Sequence, residues 1–166
     1  MLILGIGPPL IIGTGIFQQL DQHDDIAGQG QEDPQVEPAA LAHIVQTVIE
    51  LKNLGFDEVV LSQFRVPEHK DIYFPDSRHD VLTDTAAKLV QTCADDHFAL
   101  SFIADDFEKP EGRSRLYLEN VTAEQIGQVV ESTTMEDPAI YLVFLTEVHD
   151  TRFDAYGALR PLATAH

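Results

Sequence analysis

Asp105, Asp106, Glu119 and Glu147 each fall at or just past the end of a short apolar run. Carboxylates in such places can work in pairs, one as general acid and one as base or nucleophile. Glycosidic hydrolysis is the reaction that most directly needs two, about 5 Å apart for retention and about 6.5–9.5 Å for inversion. A further polar group, Ser62, Gln63, Arg65 and Glu68, follows the run at residues 56–61. Arg65 can clamp a carboxylate through two parallel hydrogen bonds. Tyr73 and Phe74, in the polar stretch that follows, can stack on a sugar ring or staple the loop to the body. With 28 acidic residues in the chain, carboxylates at strand ends are also what chance supplies.

The elements that would position these groups alternate between helix and strand. Leu41, Ile44, Val45, Val48 and Ile49 recur at helical spacing over residues 38–53, and Pro38 suits a first helical position. Gly55 can close that helix in the left-handed conformation. Residues 56–61 (FDEVVL) then read as a strand covered on both faces. A second helix is expected at about residues 81–94, capped by Asp80 or Thr83, with Leu82, Ala86, Leu89, Val90 and Cys93 inward. Strands follow at residues 98–103, 115–118 and 139–145, with a helix at 122–132 opened by a capping box of Thr122 and Gln125. Residues 149–166 read as a tail wrapping an edge. The pattern specifies a single α/β domain of about four parallel strands in βα units, an incomplete or reduced barrel, with an open flavodoxin-like sheet as the alternative.

The run from Gly55 to Pro67 resembles a family of bacterial glycoside-hydrolase-like domains whose barrels are distantly similar to α-amylase-type barrels. The family motif runs roughly G-F-D-E-I-x-F-D-Y-I-R-F-P. Gly55, Phe56, Asp57, Glu58, Arg65 and Pro67 match it, with Val59 and Val66 as close replacements. The resemblance covers roughly residues 37–103. It implies action on, or binding of, polysaccharide at the strand ends, with Asp105, Asp106 and Glu119 as catalytic candidates. Arg65, Gln63, Tyr73 and Glu147 would bind substrate. The family's acidic residue on this strand falls on Ser62, and its aromatic neighbour on Gln63, so one expected carboxylate is absent. A serine hydroxyl can replace it neither as nucleophile nor as general acid at neutral pH.

Composition narrows the partners. Net charge is -18, with 10 basic residues, which opposes nucleic acid and anionic membranes and suits a soluble, secreted or envelope protein with neutral or cationic ligands. A full eight-fold barrel typically needs about 250 residues, against 166 here. Cys93 is the sole cysteine and lies on an apolar stripe, so it reads as core, with no disulfide and no Cys-based metal site. His69 and His79 have no metal-ligand spacing, and the acidic stretch at residues 20–37 lacks the calcium-loop pattern. Residues 1–17 are apolar but broken by Pro8-Pro9 and four glycines, with no basic residue before Lys52. They read as buried strands at 2–6 and 10–16, not as a leader or membrane span. No Walker A loop, dinucleotide fingerprint or nucleophile elbow occurs, so no cofactor is expected. Three functions fit: a polysaccharide hydrolase or part of one, a non-catalytic carbohydrate-binding or envelope module, and a flavodoxin-like binder of small ligands.

Overall fold

The computed structural model describes residues 10–13, 38–64, 77–104, 107–133 and 135–160. Pro38–Asn53 forms helix α1 and Arg78–Cys93 forms α2. Ile126–Ser132 forms α3 and Pro138–Tyr141 the single turn α4. The strands are β1 (Leu10–Gly13), β2 (Glu58–Ser62), β3 (Ala99–Ile103), β4 (Leu116–Glu119), β5 (Leu142–Leu145) and β6 (Gly157–Leu159). They form one sheet in the order β1-β2-β3-β4-β5-β6, and every neighbouring pair is parallel. The α/β class and the parallel βα units expected from sequence are therefore present, with six strands in place of about four.

The ends of α1 and α2 show how local sequence sets boundaries. Gly55 has φ +98°, its N–H donates to the Lys52 carbonyl at 3.0 Å, and Phe56 N–H donates to the Leu51 carbonyl at 3.3 Å. This double closure satisfies two carbonyls that the last helical turn leaves unpaired. Helix α2 starts three residues earlier than expected, because Ser77 Oγ accepts from the Asp80 N–H at 3.0 Å and takes the capping role. Thr83 Oγ1 accepts from the Glu108 N–H instead, at 3.2 Å, tying α2 to the chain beyond β3.

The alternation of strand side chains divides the core in two. On one face, Val59, Leu61, Leu100, Phe102, Leu116 and Leu142 pack against α1 and α2 through Ile44, Val48, Leu82, Ala86, Leu89, Val90 and Cys93. Ile49, expected inward, is exposed. Helix α3 joins the same side, with Val130 on this cluster and Ile126 against Phe144 and Phe153. Phe64, just past β2, and Phe107 meet Phe102 with ring centroids 5.0–5.5 Å apart. Such aromatic pairs add about 0.5–1.5 kcal/mol each beyond burial. On the other face Val60, Tyr117 and Val143 are buried, with Ile103, Leu145 and Leu159 around them. Among the described residues every member of that second cluster is a strand residue, and these side chains pack against one another there.

Of the apolar N-terminal stretch, Leu10–Gly13 is a strand paired with β2, within the segment expected at 10–16; residues 1–9 lie outside the described part. Three elements in the later chain depart from the sequence reading. Helix α3 begins at Ile126, four residues after the expected start at Thr122, and of the expected capping box the Thr122 N–H donating to Gln125 Oε1 at 3.0 Å is present. Residues 139–141, assigned to a strand, belong instead to the turn α4, with Pro138 at its first position. The tail supplies a sixth strand, Gly157–Leu159, after a 3-10 turn at Phe153–Ala155. No helix in the described residues is long and apolar enough to cross a membrane.

Candidate strand-end site and the buried Glu58 cluster

In parallel sheets the residues just past the strand C-termini line the functional crevice. Ser62 ends β2 on the same face as Glu58 and Val60, since strand residues two apart share a face. Gln63 follows with φ +56°, exposed, and the chain then turns to bury Phe64 on the helix side. Glutamine in the left-handed region is uncommon and costs about 1–2 kcal/mol relative to ordinary backbone. Glu119 ends β4, exposed, on the face it shares with Tyr117, and Asn120 beyond it also takes a positive φ, +58°. Glu147 lies two residues past β5, exposed, in a turn where Thr146 Oγ1 accepts from the Val148 N–H at 3.1 Å. Of the sites proposed from sequence, Gln63, Glu119 and Glu147 thus fall at the C-terminal ends of β2, β4 and β5. Asp105, Asp106, Arg65 and Tyr73 lie outside the described residues.

Arg152 braces this rim. Its Nε and Nη2 donate to the two oxygens of Asp150 at 3.0 and 2.7 Å, and Nη2 also donates to Glu124 at 3.1 Å. The Arg152 side chain and backbone N–H hold Asp150 down to a pKa of about 2. Glu124 is held below its ordinary range by its own N–H and by Arg152. Glu124 precedes α3 and Asp150 follows β5, so the guanidinium ties together the two loops that follow Glu119 and carry Glu147.

A second polar constellation, missed from sequence, sits at the other end of β2. The Glu58 carboxylate is buried and accepts four hydrogen bonds. Ser101 Oγ donates to Oε1 at 2.5 Å, Arg115 Nε to Oε1 at 3.0 Å, Arg115 Nη2 to Oε2, and Tyr117 OH to Oε2 at 3.0 Å. Ser101 Oγ in turn accepts from the Arg115 N–H at 2.9 Å. Four donors occupy all the lone-pair sites of an ionised carboxylate, leaving none to take a substrate proton. Burial raises the Tyr117 pKa, and the Glu58 charge raises it further. Burial pulls Arg115 down, but its hydrogen bonds and charge pairing with Glu58 leave it raised overall. The group is a closed ion pair of the sheet interior. The sequence signals were a glutamate opening an apolar strand, and Arg115 and Tyr117 two residues apart.

One cleft of about 360 Å³ lies beside the N-terminal ends of β4 and β5, lined by Glu108, Lys109, Glu111, Met135 and Tyr141 among others. Lys109 Nζ donates to the Pro110 carbonyl at 2.7 Å and sits 4.3 Å from the Tyr141 ring centre. Burial lowers its pKa, partly offset by Glu111. The amine therefore braces the loop it stands on. Among the described residues no cluster of His, Cys, Asp and Glu could hold a metal ion. Cys93 is buried, as expected, and burial raises its thiol pKa. No protein family, curated protein or solved structure matches this chain.

Proposed function

We propose that this chain is a glycoside-hydrolase-like domain that binds polysaccharide along the C-terminal ends of its strands without cleaving it. The observation that carries the reading is Gln63. An exposed amide held in a costly left-handed conformation directly past β2 is what a ligand-facing position looks like, since strain of this kind gathers at functional sites. The sequential strand order supports barrel-type winding over a flavodoxin-type sheet, whose order is 2-1-3-4-5. Loss of catalysis follows from Ser62 at the strand end, where the related motif has an acid. Glu119 is left as the carboxylate on that face of the described strand ends. Loss of one acid or base commonly removes about 10²–10⁴-fold of rate.

The test is a polysaccharide panel screened for binding and turnover with the natural chain, Gln63→Gly and Glu119→Gln. Glycine relieves the backbone cost at residue 63, so Gln63→Gly is expected to melt higher while binding at least ten-fold more weakly. Binding that is absent throughout, or that survives Gln63→Gly unchanged, would sink the reading. Turnover abolished by Glu119→Gln would show a working hydrolase instead.

A further inference from the structure

Among the described residues, the seam between β3 and β4 has the fewest paired positions in the sheet. It has two paired positions, Phe102 with Leu116 and Ile103 with Tyr117. Four pairs join β1 to β2, β2 to β3 and β4 to β5, and three join β5 to β6. Residues 104–115, which connect the two strands, contain no helix among their described members. Backbone bonds continue a little beyond the pairs, from Leu100 N–H to Arg113 O and from Phe102 N–H to Arg115 O at 3.1 Å, and from Ala104 N–H to Tyr117 O at 2.7 Å. The Arg115 N–H itself goes to a side chain, Ser101 Oγ.

The Glu58 cluster spans this seam. Glu58 and Ser101 stand on β2 and β3, while Arg115 and Tyr117 belong to the β4 side. We propose that the cluster is a latch. It holds the unit from β1 to β3 against the unit from β4 to β6, and its opening lets the two separate as cooperative halves. A one-residue slip of β4 would turn Arg115 and Tyr117 into the helix-side core and Leu116 toward Glu58, so the latch closes in one register. Its two charges differ in exposure: Glu58 is 7% exposed and Arg115 31%, so the carboxylate can give up the guanidinium only when the seam opens far enough for water to reach it. If the rim binds polysaccharide, the latch also sets the spacing between Ser62 and Gln63 in one half and Glu119 in the other. That consequence rests on the proposed function; the latch itself does not.

Native-state hydrogen exchange at low denaturant on the full chain tests it, because cooperative units appear as groups of amides sharing one opening equilibrium. The expected result is two groups in the natural chain, with Val60 and Leu61 in one and Val143 and Phe144 in the other. Amides bonded across the seam, Phe102 and Ala104, should open at the lower free energy. Tyr117→Phe removes one donor and keeps the ring. It should speed exchange at Phe102 and Ala104 at least ten-fold while Val60 and Leu61 change less than three-fold. Glu58→Gln should do the same more strongly. A single group in the natural chain, or an equal acceleration on both sides of the seam in Tyr117→Phe, overturns the latch. Either pattern can appear whether or not any polysaccharide binds, so failure of the latch and failure of the proposed function are separate results.

Discussion

Asp95 shows how much a surface carboxylate can be shifted by its immediate neighbours. Lys52 Nζ pairs with its Oδ2 and donates to the Cys93 carbonyl at 3.3 Å, lying 5.4 Å from the Phe98 ring centre. The His97 and Phe98 N–H groups donate to Asp95 Oδ1 at 2.8 and 3.0 Å. The lysine hydrogen bond, then the His97 N–H, brings the pKa down to about 2. An ordinary aspartate titrates near about 3.9. Because the folded value is the lower one, the stabilising contribution is present above pH ~4 and is lost as pH falls through about 2. Lys52→Met should move the Asp95 midpoint upward, read from its carboxyl carbon by NMR. A midpoint unmoved from about 2 would assign the whole effect to the backbone N–H groups. At this scale the sequence was readable where one residue answers to one pattern. Cys93 fell on an apolar helical stripe and is buried. Glu58 was not readable as an ion-pair centre, because its partners lie 43 to 59 positions away and no local spacing links them.

Helix ends and strand edges differ in how much of themselves they write into sequence. The closure at Gly55 was legible because a positive φ after an apolar stripe calls for glycine. A Cβ there would meet no atom within 4 Å, so Gly55→Ala isolates the backbone cost alone. We expect a loss of about 1–2 kcal/mol, a fall in Tm of about 2–8 °C for a chain of this size. Thermal denaturation followed by circular dichroism measures it, and an unchanged Tm would mean that the helix end re-forms without the left-handed residue. Strand β6 was hidden for the opposite reason. Gly157, Ala158 and Leu159 carry no β-branched or aromatic signal, and a Cβ on Gly157 would come within 2.9 Å of Val143 Cγ2. Close backbone approach to β5 selected the glycine, and that constraint is visible only once the strands lie side by side. The start of α2 was misplaced because the polar residues after Ser77 resemble loop, while the cap itself is one serine.

For the molecule as a whole, the alternation of helix and strand predicted the class, while the sequential order of the strands is a property of the structure that periodicity alone does not give. Charge also acts at this scale. At a net charge of -18, like charges repel across the folded body. Raising salt from about 10 mM to 1 M shortens the screening length from about 30 Å to about 3 Å. Tm should therefore rise with sodium chloride across that range; a steady fall would mean that ion pairs such as Arg152 with Asp150 outweigh the repulsion. The distance along the chain between Glu58 and its partners has a further consequence, one of time. Tyr117 lies 59 positions after Glu58. At about 5–20 residues per second, a ribosome adds the tyrosine roughly 3–12 s after the glutamate. For nearly all of that interval neither Arg115 nor Tyr117 has been made, so Glu58 lacks its native partners and its carboxylate must stay in water. The first strands can thus assemble their helix-side core as they emerge, while the opposite face waits for β4. A nascent chain stalled before residue 115 would carry β2 with one wet face.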